Sequence, residues 1–203
     1  GDWWWHDVMP DGRVLLMLGD VTGHGAGAAM VTATVASSYL TLRRMQPELD
    51  VSKLLASLHD NLVGLCEGKY LMTFTAIEID PTTNSARCWA AGSPPIFLKK
   101  KNGDIETLNP RGNPLGFGEY SLEPLQVELT GGERFFVFTD GVFELPGTSG
   151  TNFGLKRLHR AFATIDAQDP SSARKAIVDV LGKHSDNAPP PDDVSFIVTD
   201  YAA

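Results

Sequence analysis

One aspartate, Asp20, stands between an apolar run and a glycine-rich turn in "VLLMLGDVTGHGAGAA". A glycine-rich turn between a strand and a helix ordinarily cradles phosphate, because backbone N–H groups and the helix dipole attract anions. A fixed carboxylate there argues for a cation that in turn holds a phosphate. Three more aspartates share this kind of position: Asp140 follows "FFVFT", Asp193 precedes "VSFIV", and Asp2 opens the first strand-like run. If adjacent strands of one sheet carry them, their side chains can converge on a hard cation, since Mg²⁺ and Mn²⁺ prefer carboxylate oxygens and retained waters. Four carboxylates and two dications cancel formally. Any one aspartate alone is well explained as a cap or turn former, Asp140-Gly141 above all. The repetition at strand ends is what points to a metal, and Asp192 reads as the outward-facing neighbour of Asp193.

Other groups are weaker candidates. Cys66 and Cys88 are isolated, and six residues beyond them stand Met72 and Pro94 rather than the arginine a thiol phosphatase needs close by. His6-Asp7 falls in a hairpin, and His59-Asp60 reads as the polar face of an amphipathic helix, so neither suits a helical metal phosphohydrolase. His24, four residues after Asp20, is either a loop histidine or a proton donor. The run from Gly23 to Ala28 satisfies G-x-G-x-x-G/A, the phosphate loop of a dinucleotide-binding fold. Against that reading, Asp20 would repel pyrophosphate and a second helical pattern follows where a parallel strand is needed.

The elements that must position these residues are legible from periodicity. "WWWHDV" and "VLLMLGDV" flank the turn Pro10-Asp11-Gly12 and predict a β-hairpin. Alternation puts Trp3 and Trp5 on one face and Trp4 on the other, which predicts packing on both sides of a sheet. Small and apolar residues predict a helix over 26–45, with Arg43 and Arg44 in its last turn and Pro47 beyond. A second helix over 51–66 is capped by Asp50 or Ser52. From Leu71 the pattern becomes strands, "LMTFTAIEID", "SARCWAAG", "PIFLKK", "DIETL", "LQVEL" and "RFFVFTD". A Gly- and Ser-containing loop follows Asp140, then helices over 155–163 and 171–183, a proline-rich turn at 189–191 and a strand over 194–199. Segregated helices and strands predict an α+β fold of antiparallel sheets covered by helices.

Composition narrows the class. The 203 residues suit one domain, against the usual ~100–200 residues per domain. With 42% hydrophobic and 21% charged residues the chain is of globular type, without a membrane span or signal peptide. A net charge of −8 disfavours nucleic acid, and the one basic run, at 99–101, precedes the turn Asn102-Gly103 and reads as a solvated hairpin end. Two cysteines without CxxC spacing fit a reducing compartment.

Taken in order, "GDWWWHD", "GDVTGHGAGAAM", "AAGSPPIFL", "GNPLGF", "TDGVFE" and "DDVSFIV" resemble the bacterial SpoIIE-type branch of the metal-dependent (type 2C-like) serine/threonine protein phosphatases. The resemblance spans nearly the whole of 1–203. It implies an α-β-β-α sandwich of two antiparallel sheets flanked by helices, with two Mn²⁺ or Mg²⁺ ions at one end. By position, Asp20 bridges both ions and the carbonyl of Val21 helps hold the second. Asp140 and Asp193 complete the first, and Asp2 supports the second directly or through water. Water activated between the ions then attacks a phosphoserine or phosphothreonine with no phosphoenzyme. The expected substrate is a STAS-type anti-sigma-factor antagonist, opposed by a switch kinase, in the cytoplasm or on the cytoplasmic side of a membrane-anchored sensor.

Two departures stand out. Ser93 occupies a position where many family members have His, and Thr22 the place where distant eukaryotic relatives have a candidate acid His. Family members also carry a strand before the leading Gly-Asp and sensor, receiver or coiled-coil segments before that. An upstream regulatory domain in a longer parent chain is therefore expected, part of the N-terminal strand region is expected to be lacking, and a homodimer is compatible. The rival to an enzyme is a module that binds a phosphoprotein without turnover.

Overall fold

The computed structural model describes residues 1–202. In chain order the first elements are β1 (Asp2–Val8), β2 (Val14–Val21), α1 (Ala26–Met45), α2 (Val51–Cys66), β3 (Met72–Asp80), β4 (Ser85–Ala91) and β5 (Ile96–Lys99). There follow β6 (Ile105–Leu108), β7 (Leu125–Glu128), β8 (Glu133–Phe138), α3 (Asp140–Glu144), α4 (Leu155–Thr164), α5 (Pro170–Ser185) and β9 (Phe196–Tyr201). All strand pairs are antiparallel, as expected, and the fold is α+β. The chain divides into two compact units. One comprises Gly1–Ser93 with Asn109–Leu129, the other Pro94–Leu108 with the residues from Thr130 onward.

In the first unit the strands run in the order β1-β2-β3-β4-β7. The hairpin that starts it closes as read: Gly12 takes φ 87°, a value that favours glycine, and its N–H donates to Met9 O at 2.9 Å. Asp11 accepts from Arg13 Nε at 2.7 Å, and the same guanidinium reaches Glu78 on β3 at 2.6 Å. Leu15 and Met17 face a core filled by Val31, Val35 and Tyr39 of α1 and Leu54, Leu55, Leu58 and Leu62 of α2. The intervening Leu16 and Leu18 are buried too. Helix α2 is capped by Asp50, whose carboxylate accepts from Lys53 N–H at 3.0 Å.

The triple tryptophan departs from expectation. Trp3 and Trp5 do share a face and both meet Tyr39, but Trp4 is 58% exposed and stacks only on His6. Its strand, β1, is the edge of the sheet, so alternation assigns Trp4 a face that is not covered there. His59 is corrected in the other direction. It is 4% exposed, not on a polar face, because its ring bonds to the loop after β6: Nδ1 accepts from Gly116 N–H at 3.3 Å and Nε2 lies 3.1 Å from Gly118 O. Asp60 alone is exposed.

The second unit has strands in the order β6-β5-β8-β9. Its core is aromatic, with Phe97, Phe136, Phe138 and Phe162 packed against Leu158 of α4 and Ile177 and Leu181 of α5. The basic run is only partly solvated. Lys99 Nζ donates to Ala163 O at 3.1 Å and Ile165 O at 2.8 Å, where it complements the C-terminal end of the α4 dipole. The loop expected after Asp140 begins as the short helix α3, and β9 starts two residues later than read. No helix among the described residues is long and apolar enough to cross a membrane.

Candidate metal centre

Antiparallel pairing of β1 and β2 sets Asp2 opposite Asp20, and pairing of β2 and β3 sets Asp20 opposite Thr73. Directly opposed residues point to one face of a sheet, so the three form a row across its end. Asp2 and Asp20 are both half-buried. Beyond them the backbone supplies further oxygens. A Cβ placed on Gly1 would lie 2.9 Å from Asp20 Oδ1, 3.0 Å from Val21 O and 3.4 Å from Gly23 O. One carboxylate and two carbonyl oxygens thus converge beside an unsubstituted Cα, and an all-oxygen donor set of this kind fits Mg²⁺ or Mn²⁺.

That convergence depends on the turn after β2. Gly23 and Gly25 take φ 85° and 84°, so the chain reverses without a side-chain clash. Thr22 is clamped twice to Leu71, the residue before β3: its N–H donates to Leu71 O at 2.9 Å, and its hydroxyl accepts from Leu71 N–H at 3.0 Å. The carbonyl of Gly1 accepts from Val21 N–H at 3.4 Å and from the Thr32 hydroxyl, on α1, at 3.0 Å. Sequence reading missed Thr32 and Thr73. Their signal is register and helix placement, which one-dimensional periodicity does not contain.

In the second unit, Thr139 and Ser195 tie the end of β8 to the approach to β9. Thr139 N–H donates to Ser195 O at 3.0 Å, and Ser195 N–H to the Thr139 hydroxyl at 3.2 Å. This brings Asp140 and Asp193 together. A Cβ on Gly141 would overlap the carbonyl oxygen of Asp193 and come within 3.1 Å of its carbonyl carbon. Asp193 N–H donates to the Asp192 carboxylate at 2.8 Å, and Asp192 and Asp193 are both exposed, so exposure does not separate the two as the reading of Asp192 expects.

The expected ligands therefore fall into two pairs, Asp2 with Asp20 and Asp140 with Asp193, rather than along one sheet. Among the described residues, no group of three or more His, Cys, Asp or Glu side chains is gathered to hold a metal ion. The remaining candidates sort themselves by contacts. His24 is exposed in the turn, and Ser93 accepts from the Thr75 hydroxyl at 2.8 Å while donating to Phe74 O at 3.2 Å. Cys66 and Cys88 are both buried, and burial pushes the Cys66 thiol up, away from a reactive thiolate. The dinucleotide reading fails on topology, because α1 leads into α2 and then into an antiparallel strand, whereas that fold needs a parallel crossover.

Residues 10–202 match the family described as Stage II sporulation protein E (SpoIIE). Over 164 residues the chain is 26% identical to the phosphoserine phosphatase RsbP of Bacillus subtilis (strain 168), a match that takes in 78% of this chain and 40% of RsbP. The chain thus spans well under half the length of that relative. The RsbU and RsbW domains of a Mycobacterium tuberculosis protein superpose with a TM-score of 0.83 at 23% identity, covering 100% of this chain and 57% of that one. RsbX, solved in complex with magnesium, gives a TM-score of 0.73 at 13% identity over 99% of this chain and 87% of its own. At such identities these structures speak to the fold, which is PP2C-like. The family match runs from the first hairpin turn to the last strand, and on that extent the chain belongs to the SpoIIE family.

Proposed function

We propose that this domain is a metal-dependent protein serine/threonine phosphatase that hydrolyses a phosphoserine or phosphothreonine on a STAS-type anti-sigma-factor antagonist. The observation that carries the reading is the convergence of Asp20 Oδ1 with the carbonyls of Val21 and Gly23 beside Gly1, next to the opposed Asp2. Family membership supports assigning Asp140 and Asp193 to the same chemistry. Bound Mn²⁺ or Mg²⁺, two ions in this reading, supplies Lewis acidity that lowers the pKa of water and neutralises charge on phosphoryl oxygens.

The chain's own residues account for the rest. Asp20, opposite Asp2 and next to Val21, is the carboxylate that would be shared by the two ions in this reading. The carbonyl of Val21 is aimed by the Thr22 clamp on Leu71. Burial removes both thiols as nucleophiles, which suits direct attack by water. The substrate class is supported by relatives whose names place them as a phosphoserine phosphatase, RsbP, and as a chain that carries RsbU and RsbW domains together. The same reading expects a setting in the cytoplasm or on the cytoplasmic side of a membrane-anchored sensor, with an upstream sensor or receiver domain as the source of regulation.

The test is dephosphorylation of a phosphorylated STAS-domain protein against Mn²⁺ and Mg²⁺ concentration. EDTA abolishes turnover in this reading, and Asp20→Ala lowers it by about 10³-fold or more, the scale of losing a key electrostatic contact at the reacting group. Near-normal turnover of Asp20→Ala at saturating metal overturns the assignment. Binding of the phosphoprotein without any turnover leaves the binding-module reading instead.

A further inference from the structure

We infer that Thr32 of α1 is a positioning residue for the metal centre, acting through the carbonyl of Gly1; the inference rests on the two-metal reading above. Thr32 is half-buried, and its hydroxyl lies 3.0 Å from Gly1 O and 3.0 Å from Ala28 O. The second contact is the ordinary back-bond of a helical threonine to the carbonyl four residues earlier. The first has no role in the helix. It ties the first turns of α1 to the peptide that joins Gly1 to Asp2, and that peptide borders Asp20 Oδ1, Val21 O and Gly23 O.

Gly1 O also accepts from Val21 N–H, at a long 3.4 Å. Thr32 makes the shorter contact and comes from a different element. Through it α1 holds the strand-end backbone directly. Thr22 secures the other side of the same cradle through Leu71. The two threonines thus hold the two chain segments whose oxygens converge, Thr32 from α1 and Thr22 through its bonds to Leu71. Neither residue donates an atom to the converging set, which is why Thr32 is a positioning residue and not a ligand.

The experiment compares the wild-type chain with Thr32→Val and Thr32→Ser. Valine keeps the shape and removes the hydroxyl, while serine keeps the hydroxyl. Mn²⁺ affinity is read by isothermal titration calorimetry with no substrate present, and amide hydrogen exchange is read at Asp2 and Trp3 in metal-free protein. Loss of one net hydrogen bond predicts Mn²⁺ binding weaker by roughly three- to tenfold in Thr32→Val, with faster exchange at Asp2 and Trp3. Thr32→Ser restores both. Wild-type affinity and exchange in Thr32→Val overturn the inference, as does a Thr32→Ser protein as weak as Thr32→Val, since that result assigns the effect to the methyl group. Exchange keeps the test decisive if the valine variant binds too weakly to titrate. A wild-type chain that binds no Mn²⁺ removes the two-metal reading itself, and Thr32 with it, a failure distinct from an indifferent Thr32.

Discussion

In Gly141→Ala a single methyl group is set against the backbone of Asp193. The added Cβ overlaps the Asp193 carbonyl oxygen and lies 3.1 Å from the carbonyl carbon. The obstruction is backbone, pinned two residues on by the Thr139–Ser195 bonds, so it cannot rotate away as a side chain would. Two effects oppose each other in stability. Alanine in a helix is favoured over glycine by about 1 kcal/mol, whereas forcing an extra carbon into a packed site costs about 1–3 kcal/mol. The net is a loss of roughly 0–2 kcal/mol, or a melting temperature lower by a few degrees in a chain of this size. Activity is far more sensitive. Relief of the overlap requires the Asp140 and Asp193 segments to part by on the order of an ångström, and misplacement on that scale costs about 10²-fold in turnover. Gly64→Ala is the matched control: Gly64 lies in α2 with nothing within 4 Å of an added Cβ. That variant gains up to about 1 kcal/mol and keeps its activity. Both are assayed by initial rates on a phosphoserine substrate against Mn²⁺ and by thermal melts. If Gly141→Ala matches Gly64→Ala in both readouts, the close approach of Asp140 to Asp193 is not part of the site.

Two further outcomes test the frame that holds the first unit. Burial works to raise the pKa of Asp7, but hydrogen bonds from Tyr39 and Arg43 outweigh it and hold the carboxyl below its ordinary value. A carboxyl depressed in the folded state stabilises fully above its unfolded pKa of about 3.9 and loses that contribution as pH falls through the folded value. Asp7→Asn therefore lowers stability by about 1 kcal/mol at neutral pH, since the pair is partly solvated, and flattens the fall in melting temperature below about pH 4; an unchanged acid limb refutes the assignment. His59→Leu leaves Gly116 N–H and Gly118 O without their ring partner and costs about 2–3 kcal/mol in urea unfolding. His59→Gln recovers part of it, and equal stability of all three proteins shows that the loop does not need the ring.

The positions of Asp20, Asp140 and Asp193 beside strand ends were legible because a carboxylate next to an apolar run is a local pattern, and the glycines after Asp20 mark a reversal. The register that sets Asp2 opposite Asp20 is not local: it follows from the hairpin turn at Pro10-Asp11-Gly12, and a slip of one residue would turn every side chain of β1 over. Periodicity likewise assigned Trp4 to a face but not to a cover, since edge and central strands alternate alike. His59 was misread for a related reason. Its helical position sits beside buried Leu58 and Leu62, and only the distant loop around Gly116 and Gly118 explains a histidine there. The two-unit division was invisible too, because β7 returns to pair with β4 after the chain has already built β5 and β6 of the other sheet.

Two candidate ligands, Val21 and Asp140, adjoin a threonine that is held by a main-chain bond to a residue far along the chain. Val21 is followed by Thr22, which is fixed to Leu71, and Asp140 follows Thr139, which is fixed to Ser195. Backbone anchors of this kind do not depend on the side chain of the ligand, so an aspartate can be replaced without collapse of its support. Conversely, a substitution at Thr32 reaches the segment beside Asp20 Oδ1 and Val21 O, and one at Gly141 reaches the Asp193 carbonyl, without removing any of these oxygens. Ligand variants and support variants consequently separate in experiment. Under the proposed metal-dependent reading, replacing Asp20 removes affinity at its source, whereas displacing its frame weakens binding in proportion to how far the strand end moves.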